Sequence, residues 1–151
     1  MSANLGKRRL VAAMAAVVAV TVFGVCTSTA QTAGMSNTQT LTLTGASEVP
    51  PVTTAATGTA TVTINPDRGV VVKVTVTGMT ATASHIHEGA AGANGPVIVP
   101  FTKTADNTFS SSDGAKLTEA QYASYKAGNL YVNVHSAANP GGEVRAQIKG
   151  G

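Results

Sequence analysis

Alternation of apolar and polar residues with a period of two runs through most of the chain and limits its fold more than any other feature. In TLTLT, Leu41 and Leu43 alternate with threonines, and ATVTI repeats the pattern with Val62 and Ile64. Residues two apart on a strand share a face, so this alternation predicts strands with one buried and one exposed face. The run GVVVKVTVTG is dense in β-branched residues, and NPDRG before it reads as a hairpin connection.

One segment departs from this pattern. Thr118 favours the N-terminal cap of a helix, Gln121 completes a capping box, and Gly128 suits the position just after the last turn. Further short strands are predicted in TASHIH, PVIVPF, NTFSSSD, NLYVNVH and GEVRAQIK. About seven to nine strands with one short helix predict an all-β chain folded as a Greek-key β-sandwich.

The first thirty residues have the pattern of a secretory signal peptide. Basic residues at 7–9 precede an apolar run over 10–25, and small residues precede a cleavage point after Ala30. The run is about 16 residues long, shorter than the roughly 20 that a spanning helix needs, which favours a signal over a retained anchor. We expect residues 1–30 to be a signal peptide and 31–38 a flexible lead-in, which predicts an extracytoplasmic protein.

Cys26 leaves an alternative open. It lies where a lipoprotein signal places its lipidated cysteine, although Val25 stands where that processing prefers a small residue. Lipid anchoring through Cys26 is therefore the minor alternative to release. If cleavage follows Ala30, no cysteine remains and no disulfide supports the fold.

Charge argues against a nucleic-acid partner. Three of the ten basic residues lie in the predicted signal, which leaves seven basic residues against seven acidic ones. The excess of positive charge thus belongs to the signal, and the rest of the chain has no net charge to attract nucleic acid or an anionic membrane surface.

Two motifs resemble those of a known family. HIHEGAAGANGPVIV begins at His85, and NLYVNVHSAANPGGEVRAQI begins at Asn129. Together with LTGASEVPPVTTAATGTATVTI they are similar to the chordin-type (CHRD) domain, which would occupy residues 39–150. The family usually has glycine where Ala146 stands. The resemblance implies an immunoglobulin-like sandwich and, in bacterial members, a small secreted or surface protein.

The arrangement is also similar to that of copper/zinc superoxide dismutases. Those are Greek-key sandwiches in which a His-x-His strand and a later histidine bind copper. This similarity concerns fold and motif, and a shared fold does not carry function by itself.

The three histidines of the chain are His85, His87 and His135. His85 and His87 share one face of a strand, with Cα atoms roughly 6.5–7 Å apart, so both imidazoles can reach one cation. His135 completes the set if its strand is a neighbour. Imidazole suits copper and zinc, and we expect copper before zinc. The alternative is that the histidines only form hydrogen bonds with the loops that they close.

Four polar residues close to the histidines in sequence are candidates for supporting or structural roles: Glu88, Asn133, Glu143 and Arg145. Asn133 could orient an imidazole or pair across the sheet. Arg145 could steer an anion to a metal, pair with Glu88 or Glu143, or brace the 139–142 loop. The planar guanidinium favours a structural role.

These observations predict a secreted CHRD-domain binding protein with a copper site, whose partner outside the cytoplasm is a protein or the cell wall. Catalysis is less favoured than binding. Two alternatives stay open: a copper-dependent redox enzyme of superoxide-dismutase type, and a structural or adhesive surface module without metal. The sequence has no Gly-x-Ser-x-Gly elbow for serine hydrolysis.

Overall fold

Residues 37–151 are described by a computed structural model of the chain. The predicted signal peptide and residues 31–36 of the predicted lead-in lie outside the described residues. The elements are eight strands, a 3-10 turn at Gly45–Ser47 and one helix: β1 Asn37–Thr44, β2 Thr57–Ile64, β3 Val70–Thr77, β4 Ala81–Glu88, β5 Val97–Ala105, β6 Thr108–Ser111, α1 Glu119–Lys126, β7 Leu130–Ser136 and β8 Val144–Ile148.

The strands form one closed antiparallel barrel in the order β1-β2-β3-β6-β5-β4-β7-β8. The all-β class with one short helix is confirmed, but the predicted immunoglobulin-like sandwich is corrected to a barrel. Two sheets packed face to face would leave unpaired edges. Here β3 pairs with β6, and β8 returns to β1 at Thr44 and Arg145, so the hydrogen-bonded circuit is complete. The placing of β7, β4, β5 and β6 side by side is a Greek-key order.

The barrel interior holds the apolar residues that the period-two pattern indicated. On β2 and β3 every second side chain is buried, and its neighbours are exposed. Aliphatic side chains dominate this core, and Phe109 and Tyr125 are its buried aromatic rings. The fully buried members include Leu43, Val62, Val72, Val74, Ile86, Leu130, Val132, Val134 and Ile148.

The helix begins and ends where its sequence signals stand. The Thr118 side chain accepts a hydrogen bond from the Gln121 backbone, and the Gln121 side chain accepts one from the Thr118 backbone. Gly128 has a φ of 75°, a left-handed conformation that glycine adopts without a Cβ clash. Within residues 37–151 no helix has the length and apolar character needed to cross a membrane.

Strands β7 and β8 are largely buried on both faces, and the outer face of β4 is partly buried, which positions the candidate site. Ile86 on β4, and the even-numbered aliphatic residues of β7 and β8, such as Val132, point into the core. Successive side chains alternate across a strand, so odd-numbered residues lie on the outer face of the barrel. Several of these are polar and still buried, namely His87, Asn133 and Arg145, and so is Glu143, which comes directly before β8. Loops rather than a second sheet cover them.

Burial in the barrel core predicts that alanine substitutions at two valines differ in their effect on stability. Val132→Ala removes methyl groups from a fully buried position beneath the polar outer face, whereas Val71→Ala changes a side chain that is 62% exposed. We expect the first to lower the free energy of unfolding by about 2 kcal/mol and the second by less than about 0.5 kcal/mol. Urea denaturation followed by circular dichroism measures both. Equal losses would contradict this assignment of the core.

Candidate metal centre

The three histidines meet on the outer face of two neighbouring strands. β4 pairs with β7, which places His85 opposite Asn133, His87 opposite Tyr131, and His135 opposite Ala83. One ring nitrogen from each histidine can be chosen so that all three lie within 4.8 Å of one another. β4 and β7 are therefore neighbours, as the predicted three-histidine site required.

Backbone carbonyls fix the orientation of two of the rings. His87 Nδ1 lies 2.9 Å from the Gly95 carbonyl oxygen, and His135 Nδ1 lies 2.9 Å from that of Pro140. A carbonyl can only accept, so in both rings Nδ1 carries the proton and Nε2 keeps its lone pair. A carbonyl holding the far nitrogen of a ligand ring is the usual support of histidine metal ligands.

The His87 and His135 nitrogens that face the cluster carry no proton. His87 Nε2 is buried and has no hydrogen-bond partner. His135 Nε2 lies 3.0 Å from His85 Nδ1, and because the former has no proton, His85 donates to it. A cation at this point would replace the His85 proton and would give His87 Nε2 the partner that it lacks. The donor set therefore fits a metal ion that prefers nitrogen ligands.

All three imidazoles are held neutral. Burial lowers the pKa of His85 to about 4, and the nearby His135 and His87 rings add to the effect. Burial also lowers the pKa of His87 and of His135. Only neutral imidazole coordinates a metal. At neutral pH the cluster can therefore bind one without first deprotonating an imidazolium ion.

Tyr131 supports His87, a contact that the sequence analysis did not predict. The two rings stack with centroids 4.9 Å apart and planes 9° apart. The Tyr131 hydroxyl accepts a hydrogen bond of 3.2 Å from the Gly95 backbone N–H. Gly95 therefore holds His87 by its carbonyl and Tyr131 by its amide, and the two rings are fixed as one unit.

Arg145 braces a loop, but not the one that the sequence suggested. The guanidinium donates to the Ala90 and Ala93 carbonyls at 3.2 and 3.0 Å, and to the Asn94 side chain at 3.2 Å. It thus holds the 89–96 loop rather than the 139–142 loop. In the described part of the chain the salt bridges join Lys103 to Asp106 and Lys116 to Asp67, so Arg145 pairs with neither Glu88 nor Glu143.

The other predicted residues fall in different places. Glu88 lies at the end of β4 and accepts a 2.5 Å hydrogen bond from Ser124 of the helix, away from the imidazoles. Glu143 accepts from Thr54 at 2.7 Å and from Ser136. The Ser136 bond is the main reason why the pKa of Glu143 is lowered. Both carboxylates therefore join separate segments of the fold and contact none of the three rings through these bonds.

Asn133 lies between the histidines and Arg145. It stands opposite His85 on β4 and opposite Arg145 on β8. Its side chain is 2% exposed and lies against His87, where a hydrogen bond between them would raise the pKa of that ring. Its Oδ1 atom is buried without a partner. Its Nδ2 atom donates a long hydrogen bond of 3.5 Å to the Gly141 carbonyl.

Glu48 is the functional candidate that sequence reasoning missed. It is 5% exposed, and its Oε1 atom has no hydrogen-bond partner. Glu48 Oε1 and Asn133 Nδ2 lie 2.5 and 2.7 Å from the point where a Cβ on Gly142 would stand, so glycine there admits both side chains. Burial raises the pKa of Glu48 to about 7, against the attraction of Arg145. The only sequence signal was its place in SEVPP, far from the histidine motifs.

The comparisons with known proteins agree with the motifs. A scan against protein-family models matches the CHRD domain over residues 39–148. The chain belongs to the CHRD-domain family. The matched range contains all three histidines, Arg145 and Glu48, so the candidate site lies wholly inside the CHRD domain. Searches of the curated proteins and of the solved structures found no match.

The raised pKa of Glu48 predicts how the stability of this CHRD domain depends on pH. The unfolded chain loses the proton near pH 4.5 and the folded chain near pH 7, so folding stability is lost as pH rises between these values. Glu48→Gln cannot ionise. We expect the free energy of unfolding of the variant to rise by about 2 kcal/mol relative to that of wild type between pH 4.5 and pH 7.5. Urea denaturation measures it. A difference that is constant or falls with pH would contradict the burial of an ionisable Glu48.

Proposed function

We propose that this CHRD-domain protein acts outside the cytoplasm and binds one copper ion through His85, His87 and His135. The observation that carries the proposal is the buried Nε2 atom of His87, which has no partner while its Nδ1 proton is bound to Gly95. Leaving a buried polar atom unpaired costs about 1–3 kcal/mol. A metal ion satisfies this atom and also uses the lone pairs of the other two rings.

Copper is favoured over zinc by the chemistry of the donor set. Imidazole suits both ions, but sites of a given kind bind Cu²⁺ more tightly than Zn²⁺. The ligand set consists of three imidazoles and contains no carboxylate and no thiolate. Copper, when bound, would be a stored ion or would supply a one-electron couple. The protein holds all three rings neutral, and its loop carbonyls hold His87 and His135 in the tautomer that leaves Nε2 free for the ion.

Binding is favoured over anion-steered catalysis by the position of Arg145. A guiding cation must face the solvent path of its substrate. Arg145 is 1% exposed, and its donors are directed to the 89–96 loop. The guanidinium is therefore placed to support the site rather than to attract a dissolved anion, and a redox enzyme remains the second candidate.

An extracytoplasmic location is supported by the sequence alone. The basic residues at 7–9, the apolar run after them and the small residues before Ala30 are typical of a secretory signal. The bacterial proteins that this chain resembles are secreted or surface proteins. The partner that we propose outside the cell is a protein or the cell wall.

Metal analysis tests the proposal. Protein dialysed with Cu²⁺ and Zn²⁺ together should retain about one copper ion per chain and little zinc. His87→Ala removes the buried Nε2 ligand, and we expect it to weaken copper binding by about 100-fold or more. Thr61→Ala, an exposed change on β2, which pairs with neither β4 nor β7, is the control and should bind as wild type does.

Three outcomes separate the candidates. The copper site would be contradicted if wild-type protein retained no copper, or if His87→Ala bound copper as tightly as wild type. The structural or adhesive module would then be the remaining candidate. Copper binding without superoxide dismutation supports a binding protein. Rapid dismutation that is lost in His87→Ala would make the redox enzyme the better description.

A further inference from the structure

A buried positive charge lies close to the candidate metal ligands. The guanidinium carbon of Arg145 is 3.4 Å from the centre of the Tyr131 ring. That same ring stacks on His87 with centroids 4.9 Å apart. Arg145 therefore approaches the histidine cluster with an aromatic ring, rather than water, between them. Its charge is screened much less than that of a surface arginine.

The charge is also fixed in position. Three acceptors of the 89–96 loop hold the guanidinium, and Gln147 accepts a further hydrogen bond at 3.2 Å. Burial lowers the pKa of Arg145, but a guanidinium stays protonated at neutral pH.

Few negative charges oppose it. The three imidazoles are neutral, and no carboxylate or thiolate belongs to the ligand set. Glu143 is held by Thr54 and Ser136, and Glu88 by Ser124. Glu48 is the buried carboxyl that acts on Arg145, and its Oε1 atom lies on the same side of Gly142 as the Asn133 amide.

We propose that Arg145 makes the histidine site select a monovalent over a divalent ion, Cu⁺ over Cu²⁺, and that Glu48 is the counter-charge that limits this preference. The inference rests on the proposed copper binding. Coulomb repulsion is proportional to the charge of the ion, so a fixed cation disfavours Cu²⁺ twice as strongly as Cu⁺. Removing Arg145 should then shift the preference towards Cu²⁺, and removing Glu48 should shift it towards Cu⁺.

The two shifts have opposite signs, which makes the test sharp. The dissociation constants of Cu⁺ and of Cu²⁺ are measured by competition with chromophoric chelators at pH 8, where the Glu48 carboxyl is ionised. We expect Arg145→Gln to lower the ratio of the Cu²⁺ to the Cu⁺ dissociation constant by about tenfold, and Glu48→Gln to raise it by about tenfold. A tenfold change corresponds to about 59 mV in the one-electron reduction potential, which voltammetry measures independently.

Control variants separate charge from structure. Arg145→Lys keeps the charge and should hold the ratio close to that of wild type. Lys73→Gln removes an exposed charge from β3, a strand that pairs with none of β4, β7 and β8, and should leave the ratio unchanged. Because Arg145→Gln removes several hydrogen bonds, its fold is checked by circular dichroism. Glu48→Gln tests the inference even if Arg145→Gln does not fold.

The outcomes are distinct. Copper binding with unchanged ratios in the variants, or shifts of the same sign in both, would overturn this inference and leave the proposed function intact. Wild-type protein that binds neither ion would overturn the proposed function and this inference with it. Opposite shifts, with Lys73→Gln unchanged, support both.

Discussion

The guanidinium of Arg145 joins β8 to the 89–96 loop, and the geometry of the candidate metal centre depends on this contact. By binding the Ala90 and Ala93 carbonyls, Arg145 holds the loop against the outer face of the barrel. The loop then presents the Gly95 carbonyl to His87 and the Gly95 amide to Tyr131. Each step is a partly buried hydrogen bond, and the Arg145 end of the series is itself buried, where an unmade bond is costly. The orientation of His87 thus depends on an arginine two strands away.

The same contact helps to explain why this barrel carries a polar cluster on its outer face that is partly shielded from solvent, with His87 buried and His85 and His135 half-buried. The interior of the barrel is filled by aliphatic residues, which leaves the outer face of β4, β7 and β8 for polar side chains. Burial beneath loops keeps the three imidazoles neutral, and the loop carbonyls choose which nitrogen is protonated. His87 and His135, neutral and with fixed tautomers, are therefore pre-organised ligands, and His85 joins them when its Nδ1 proton moves to Nε2. In this account the fold supplies the geometry of a metal site before any metal binds.

Local patterns in the sequence were sufficient to predict the strands, the helix and the shared face of two histidines. The spacing of His85 and His87 requires a common face, and Thr118 with Gln121 forms the capping box that the sequence predicts. Closure of the barrel was not predictable, because it depends on a single pairing of Thr44 with Arg145 from opposite ends of the domain. A sandwich and a closed barrel share the same strand pattern and differ only in such edge pairings.

Long-range contacts also limited what could be predicted about the site. Nothing local indicates that Arg145 reaches the 89–96 loop, that Tyr131 stacks on His87, or that Glu48 approaches Asn133. The central claim is that loop carbonyls fix the His87 and His135 tautomers so that both Nε2 atoms face one cation. Histidine ring ¹⁵N spectra during titration with Cu⁺ test it most directly. We expect the Nδ1 atoms of His87 and His135 to stay protonated throughout the titration. The ¹⁵N signals of their Nε2 atoms should shift and stop changing once one equivalent of Cu⁺ has been added. Protons on Nε2, or shifts at Nδ1 of these two rings, would contradict it.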